Sequence, residues 1–144
     1  MLYRRSGGSI QVLLVHPGGP YWQKRDDGAW TIPKGEIGEH ESALQVARRE
    51  FQEELGMQPP QDGLISLGSV RQKAGKVVAA WAIAGDFEVS RLRSNTFEIE
   101  WPPRSGRMQT FPEVDRAEWF DLEAARRKLI AAQAQLIDRL EAVV

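Results

Sequence analysis

The chain has 144 residues, with 19 Lys and Arg against 20 Asp and Glu, 42% apolar residues and no cysteine. At this length a single domain over residues 1–144 is expected, able to bury roughly 70% of its unfolded surface without a disulfide or structural metal. The missing thiols exclude a disulfide scaffold, a thiolate zinc site and a cysteine nucleophile, and the formal charge of −1 speaks against a surface built as a whole for nucleic-acid phosphates.

The opening Met1-Leu2-Tyr3-Arg4-Arg5-Ser6-Gly7-Gly8 has no signal-peptide pattern, and no apolar run approaches a membrane span. A soluble, cytoplasmic protein without a membrane partner is therefore expected. Leu2 to Arg5 reads as a short strand, turned by Ser6-Gly7-Gly8-Ser9. Ile10 to Val15 is apolar almost throughout, as a strand buried on both faces would be. After a polar loop, Ala29-Trp30-Thr31-Ile32 is a further short strand that Pro33 ends. From Glu41 to Leu55 the period changes to a helix, with Leu44, Ala47, Phe51 and Leu55 on one stripe. Gly56 stands at the C-cap position, and Pro59-Pro60 forbids continuation.

Residues 64–70 and 77–83 read as strands joined through Gln72-Lys73-Ala74-Gly75-Lys76. Phe97-Glu98-Ile99-Glu100-Trp101 alternates strictly, and Pro102 to Arg107 is a loop. A last helix begins after Asp121, a suitable N-cap, and Leu122, Leu129, Leu136 and Val143 recur every seven residues along it. Strands before, between and after helices predict an α/β (α+β) domain, one mixed sheet with helices packed on it.

Within the first helix Glu50, Glu53 and Glu54 stand at i, i+3 and i+4, on one side of the cylinder. Like charges at that spacing destabilise a helix by a few tenths of a kcal/mol per pair, roughly. A hard divalent cation, Mg²⁺ or Mn²⁺, is the natural compensation, because such ions take carboxylate oxygens. The plainer alternative is a solvated acidic face relieved by Arg48 and Arg49.

The spacing around the helix decides between them. Gly35, five residues, Glu41, seven residues, then Arg49-Glu50-Phe51-Gln52-Glu53-Glu54-Leu55-Gly56-Met57 resembles the Nudix box at every specified position. Phe51 is a departure where an aliphatic residue is commoner, and His40 replaces the usual Gly before the glutamate. The strand order and closing helix also resemble the Nudix fold, a mixed sheet sandwiched between helices. The resemblance implies that Glu50, Glu53 and Glu54 bind the metal, often joined by the Lys34 backbone carbonyl. It further implies that a glutamate, Glu50 or Glu53, or a later carboxylate acts as base, that Arg49 orients a catalytic glutamate, and that Glu41 holds loop and helix together. Gly35 and Gly56 are then structural.

The later carboxylate is one of Glu98, Glu100, Glu113, Asp115 and Glu118. Glu113 is the choice, in an acidic segment that precedes a Trp-containing strand as in the family; a structural ion pair is its alternative. The implied reaction is hydrolysis of a nucleoside diphosphate linked to another group. Trp30-Thr31-Ile32-Pro33-Lys34-Gly35 resembles the lead-in of diadenosine polyphosphate and diphosphoinositol polyphosphate hydrolases, so Lys34 would reach a substrate phosphate. Arg71, Lys73 and Lys76 on the following hairpin would grip distal phosphates, unless they are a plain wet hairpin tip.

Of five tryptophans, Trp30, Trp81 and Trp119 fit the core, while Trp22 and Trp101 are candidates for stacking a base. His16 and His40 are expected to face solvent. A dinucleoside polyphosphate or NTP-type substrate leads. The alternatives are an ADP-ribose/NADH or RNA-cap hydrolase, or a non-catalytic ligand-binding module. The partner is a small nucleotide rather than nucleic acid, and the closing helix leaves a homodimer open.

Overall fold

The computed structural model describes residues 1–36 and 42–144. Eight strands and three α-helices follow in chain order: β1 (Leu2–Ser6), β2 (Ser9–Pro17), β3 (Gly35–Glu36), α1 (Ala43–Leu55), β4 (Ile65–Arg71), β5 (Val77–Ala84), β6 (Thr96–Glu100), β7 (Met108–Pro112), β8 (Val114–Asp121), α2 (Leu122–Lys128) and α3 (Gln135–Val143). A six-stranded sheet runs β3-β5-β1-β2-β8, with β4 also on β5, and β6 and β7 form a separate two-stranded ribbon. Among the strands described, β1 and β5 pair in parallel and the other pairings of the sheet are antiparallel, so the sheet is mixed.

Strand β2 explains why the sheet is covered twice. Val12 and Leu14 belong to one core cluster with Trp30, Ile32, Leu136, Ile137 and Leu140. Leu13 and Val15 point the other way, into a cluster with Phe51, Leu55, Ile83 and Val114. The period of two therefore divides one apolar run between α2 and α3 on one face and α1 on the other. Each fully buried Val or Leu contributes about 1.5–3 kcal/mol, and Leu14→Ala would cost about 2–5 kcal/mol.

Helix α1 starts two residues later than the apolar stripe suggests, because Ser42 caps it. The Ser42 hydroxyl accepts from the Gln45 N–H (3.2 Å), and the Gln45 side chain accepts from the Ser42 N–H (3.1 Å). Gly56 ends the helix at φ 84°, and a Cβ there would come within 2.5 Å of the Arg93 carbonyl oxygen. Glu41, called to hold loop and helix together, and His40 lie outside the described residues.

The last helix is not continuous. Asp121 does cap α2, accepting from the Ala124 N–H at 2.7 Å, but the chain is extended at Leu129 and Ile130 before α3 begins. There the Trp30 N–H donates to the Lys128 carbonyl (3.0 Å) and the Ile130 N–H to the Trp30 carbonyl (2.9 Å). Backbone pairing with Trp30 has displaced helical pairing, and the seven-residue repeat does not lie along one helix; Val143 is 51% exposed. The same competition reduces the expected strand 29–32 to two isolated bridges, Val15 with Thr31 and Trp30 with Leu129. No helix among the described residues is long and apolar enough to cross a membrane.

Candidate active site

Phe51 and Leu55 anchor α1 in the core, and this fixes the rotation of its acidic side. Glu54 is turned inward and 8% exposed, whereas the Glu50 and Glu53 side chains remain about a third open. One Arg49 guanidinium nitrogen lies 3.3 Å from a Glu53 oxygen and 3.7 Å from a Glu50 oxygen. The Arg49 guanidinium thus stands beside both carboxylates.

Glu54 carries the largest electrostatic load. Burial pushes its carboxyl up to about 7; the Lys34 ammonium pulls it back, and Glu50, Glu113 and Glu53 push further up. One Glu54 oxygen, Oε2, is buried with no hydrogen-bond partner among the described residues. Glu113 is also held above the ordinary carboxylate range, first by burial and then by Glu53 and Glu50. The structure therefore brings Glu50, Glu53, Glu54, Glu113 and Lys34 into one electrostatic neighbourhood. Among the described residues no three acidic or histidine side chains are gathered tightly enough to cage an ion as they stand.

Glu113 reaches this neighbourhood through backbone hydrogen bonds. The Asn95 N–H donates to the Glu53 carbonyl (2.7 Å), and the Glu113 N–H donates to the Asn95 carbonyl (2.8 Å). The Gly18 N–H donates to the Glu113 carbonyl (2.9 Å), and the Val114 N–H to the Ser94 hydroxyl (3.2 Å). Gly18 is required, because a Cβ there would run into the Pro112 carbonyl oxygen. Beside these contacts a groove of about 780 Å³ runs along α1, lined by Arg49, Gln52, Glu53, Arg93, Asn95 and Thr96.

The other late carboxylates are placed elsewhere. Asp115 bonds the His16 Nδ1 at 2.7 Å, Glu98 accepts from the Thr110 hydroxyl at 3.4 Å, and Glu100 and Glu118 are exposed on their strands. His16 corrects its own expectation. It is fully buried, its Nε2 lies 2.6 Å from the Arg25 carbonyl, and its ring meets Trp30 edge-on at 5.1 Å. One fixed partner at each ring nitrogen supplies the bonds that burial of an imidazole requires.

Lys34 enters β3 just ahead of Gly35, whose backbone pairs with Ala79, and its ammonium lies 3.4 Å from the Thr31 hydroxyl. Arg71, Lys73 and Lys76 lie on the β4–β5 hairpin, where Arg71 donates to the Gly75 carbonyl at 3.3 Å. Gln133, fully buried and missed by the sequence reading, joins this hairpin to the Lys34 segment. Its side-chain oxygen accepts from the Ile32 N–H (3.2 Å) and the Thr31 hydroxyl (3.0 Å), and its amide donates to Gln72 (2.9 Å). A polar residue amid Ala131, Ala132 and Ala134 was the available signal. Asn95 acts through its main chain and left none.

Trp30 is buried and bonds Asp26 at 2.8 Å, while Trp81 and Trp119 are half-buried, with Arg4 4.0 Å above Trp119. Trp22 is 36% exposed, with the Arg25 guanidinium 5.4 Å from its ring centre.

A family model described as the NUDIX domain matches residues 1–140. An RNA pyrophosphohydrolase of Cellvibrio japonicus (strain Ueda107) is 42% identical over 50 residues, 33% of this chain and 29% of that protein. The chain thus aligns with under a third of that relative's length. Among solved structures, the NUDIX domain of Shewanella oneidensis NrtR complexed with ADP ribose superposes with a TM-score of 0.62 at 21% identity, over 98% of this chain and 82% of that one. A C. elegans Ap4A hydrolase binary complex superposes at 0.57 with 20% identity, over 98% and 90%. A MutT protein from Methanosarcina mazei Go1 does so at 0.53 with 21% identity, over 98% and 89%. At these identities the likeness is one of fold.

Proposed function

The chain belongs to the NUDIX domain family, and on that premise we propose that it hydrolyses the diphosphate linkage of a nucleoside diphosphate joined to another group. The observation that carries this reading is Glu54: a buried carboxyl with an orphaned oxygen, pushed up by Glu50, Glu53 and Glu113. An all-oxygen, acidic donor set of this kind fits a hard divalent cation, Mg²⁺ or Mn²⁺, with Glu50, Glu53 and Glu54 as holders and Glu113 and the Lys34 carbonyl as further donors. When bound, such a cation neutralises diphosphate oxygens and acidifies water.

The chain's own residues supply the rest. Glu53 or Glu113 takes the proton of the attacking water, the new bond forms to phosphorus, and the bridging oxygen leaves with the departing phosphate. Arg49, bonded to Glu53, holds that carboxylate in orientation. Lys34 places one positive charge beside the reacting phosphates, and Arg71, Lys73 and Lys76, positioned through Gln133, serve the distal ones. Trp22 would lie against the nucleoside. Glu41, Gly35 and Gly56 shape the loop and the ends of the helix.

The Trp-x-x-Pro-Lys-Gly lead-in favours a dinucleoside polyphosphate or an NTP-type substrate. The local match to an RNA pyrophosphohydrolase supports a second reading, a triphosphorylated or capped RNA end. Turnover of diadenosine tetraphosphate, NTPs, ADP-ribose, NADH and 5′-triphosphate RNA, with and without Mg²⁺, tests both. The expected result is Mg²⁺-dependent release of a nucleoside phosphate from diadenosine tetraphosphate. Binding without turnover of any of them would make the chain a ligand-binding module.

A further inference from the structure

Strand β8 pairs regularly with β2 from Asp121 back to Arg116, which stands opposite His16. The next pair is Val114 with Pro17, so Asp115 is one residue too many, a bulge. A one-residue shift of this kind exchanges the two faces of a strand. Trp119 and Ala117, opposite Leu13 and Val15, pack on the α1 side of the sheet, and an unbroken period of two would bring Asp115 there next. Val114 takes that place instead, in the cluster with Phe51 and Leu55. Asp115 and Arg116 both turn to the other side, Asp115 to His16 and Arg116 to Trp30, 5.2 Å from its ring centre. Glu113 is the residue next to Val114. Its N–H donates to the Asn95 carbonyl and its carbonyl accepts from Gly18, two residues beyond His16.

His16 is what holds the extra residue in place. Its ring is fully buried, with Nδ1 2.7 Å from the Asp115 carboxylate, Nε2 2.6 Å from the Arg25 carbonyl and Trp30 edge-on at 5.1 Å. A ring held at both nitrogens inside a packed core cannot follow a slipping strand. Arg116 also stands 3.9 Å from Asp115, but its side chain is half exposed, and an ion pair of that kind is weak.

We propose that the His16–Asp115 bond locks this register and so positions Glu113 beside the acidic helix, an inference that rests on the hydrolytic site proposed above. His16 is a positioning residue, acting through Asp115 and the bulge. The test compares wild type, His16→Gln, His16→Asn and Asp115→Ala, by hydrolysis of diadenosine tetraphosphate with Mg²⁺ and by amide hydrogen exchange of the metal-free chain. Asn carries its amide nitrogen near the place of Nδ1 and Gln near that of Nε2, so Asn keeps the Asp115 bond and Gln the Arg25 one. In His16→Gln and Asp115→Ala kcat should fall roughly a hundredfold, the scale of a reacting group misplaced by about 1 Å, with KM little changed. His16→Asn should recover most of that loss. Glu113→Gln should lose at least as much, and none of the three changes should slow it further, because all act through one residue. The Gly18 and Glu113 amides should lose protection in His16→Gln and Asp115→Ala but not in His16→Asn. Asp115 is partly exposed, so its variant carries the test even if His16→Gln does not fold.

Rate losses that multiply with Glu113→Gln, or equal losses in His16→Asn and His16→Gln, would make the bond a matter of stability alone. Full protection of both amides in Asp115→Ala would overturn the lock whatever the rates. The expected exchange pattern in a chain that cleaves no diphosphate would defeat the hydrolytic function and leave the lock standing.

Discussion

Glu53 and Glu113 are joined through a single residue: Asn95 donates its N–H to the Glu53 carbonyl and accepts the Glu113 N–H on its own carbonyl, at 2.7 and 2.8 Å. A carboxylate on the acidic helix and one from a distant loop are thereby held in fixed register, and burial together with the Glu53 and Glu50 charges holds the Glu113 carboxyl above its ordinary range. Backbone groups make a stiff link, because they carry no rotamers to lose.

Asn95→Pro removes the N–H that reaches Glu53, while Asn95→Ala keeps it. An unsatisfied carbonyl and a displaced loop should cost about 1–3 kcal/mol of stability in the proline variant. Its kcat should fall by roughly a hundredfold, in line with the effect of misplacing a reacting group by about 1 Å. The alanine variant should stay near wild type in both. Urea midpoints and steady-state rates of the pair check this.

Glu54 gives the metal-free protein a pH signature. Its carboxyl stands at about 7 in the folded chain against an ordinary 4.5, so folding favours the protonated form. The sign follows: the contribution is fully present below about 4.5, declines as pH rises towards 7, and levels off above it. Across that window the loss is about 3 kcal/mol, at roughly 1.4 kcal/mol per pH unit. Unfolding in chelator at pH 5 and pH 8 should show wild type losing about 2.5 kcal/mol of that relative to Glu54→Gln. Mg²⁺ added at pH 8 should restore stability to wild type alone.

Gln133 is the buried fastener between the Lys34 segment and the cationic hairpin. Gln133→Leu would leave the Ile32 N–H and the Gln72 amide oxygen without it, a loss of about 2–4 kcal/mol. Should the fastener also position the hairpin cations, KM for a polyphosphate substrate would rise more than kcat falls. Thermal melts and Michaelis kinetics on one preparation separate the two effects.

Much of this arrangement is legible in the sequence where side-chain spacing carries it. Phe51 and Leu55 mark the buried stripe of α1, and the same count of residues sets Glu50, Glu53 and Glu54 on its acidic side. The alternation of Val12, Leu13, Leu14 and Val15 foretells a strand covered on both faces. Where main-chain atoms do the work, sequence is silent, since every residue except proline carries the same N–H and C=O. Asn95 is such a case, and so is Trp30, whose backbone draws Leu129 and Ile130 out of a helix their spacing would allow. His16 was misread for a related reason: burial of an imidazole depends on the carbonyl of Arg25 and the carboxylate of Asp115 being brought to it by the fold.

Mn²⁺ binding measured by paramagnetic resonance decides whether Glu50, Glu53, Glu54 and Glu113 form one cation site. Wild type should bind Mn²⁺, Glu53→Gln and Glu54→Gln should each weaken it by at least about tenfold, and Glu98→Gln on the β6–β7 ribbon should bind as wild type does. Mn²⁺ affinity left intact in both helix variants, or lost equally in the ribbon variant, would mean that these carboxylates hold no common cation.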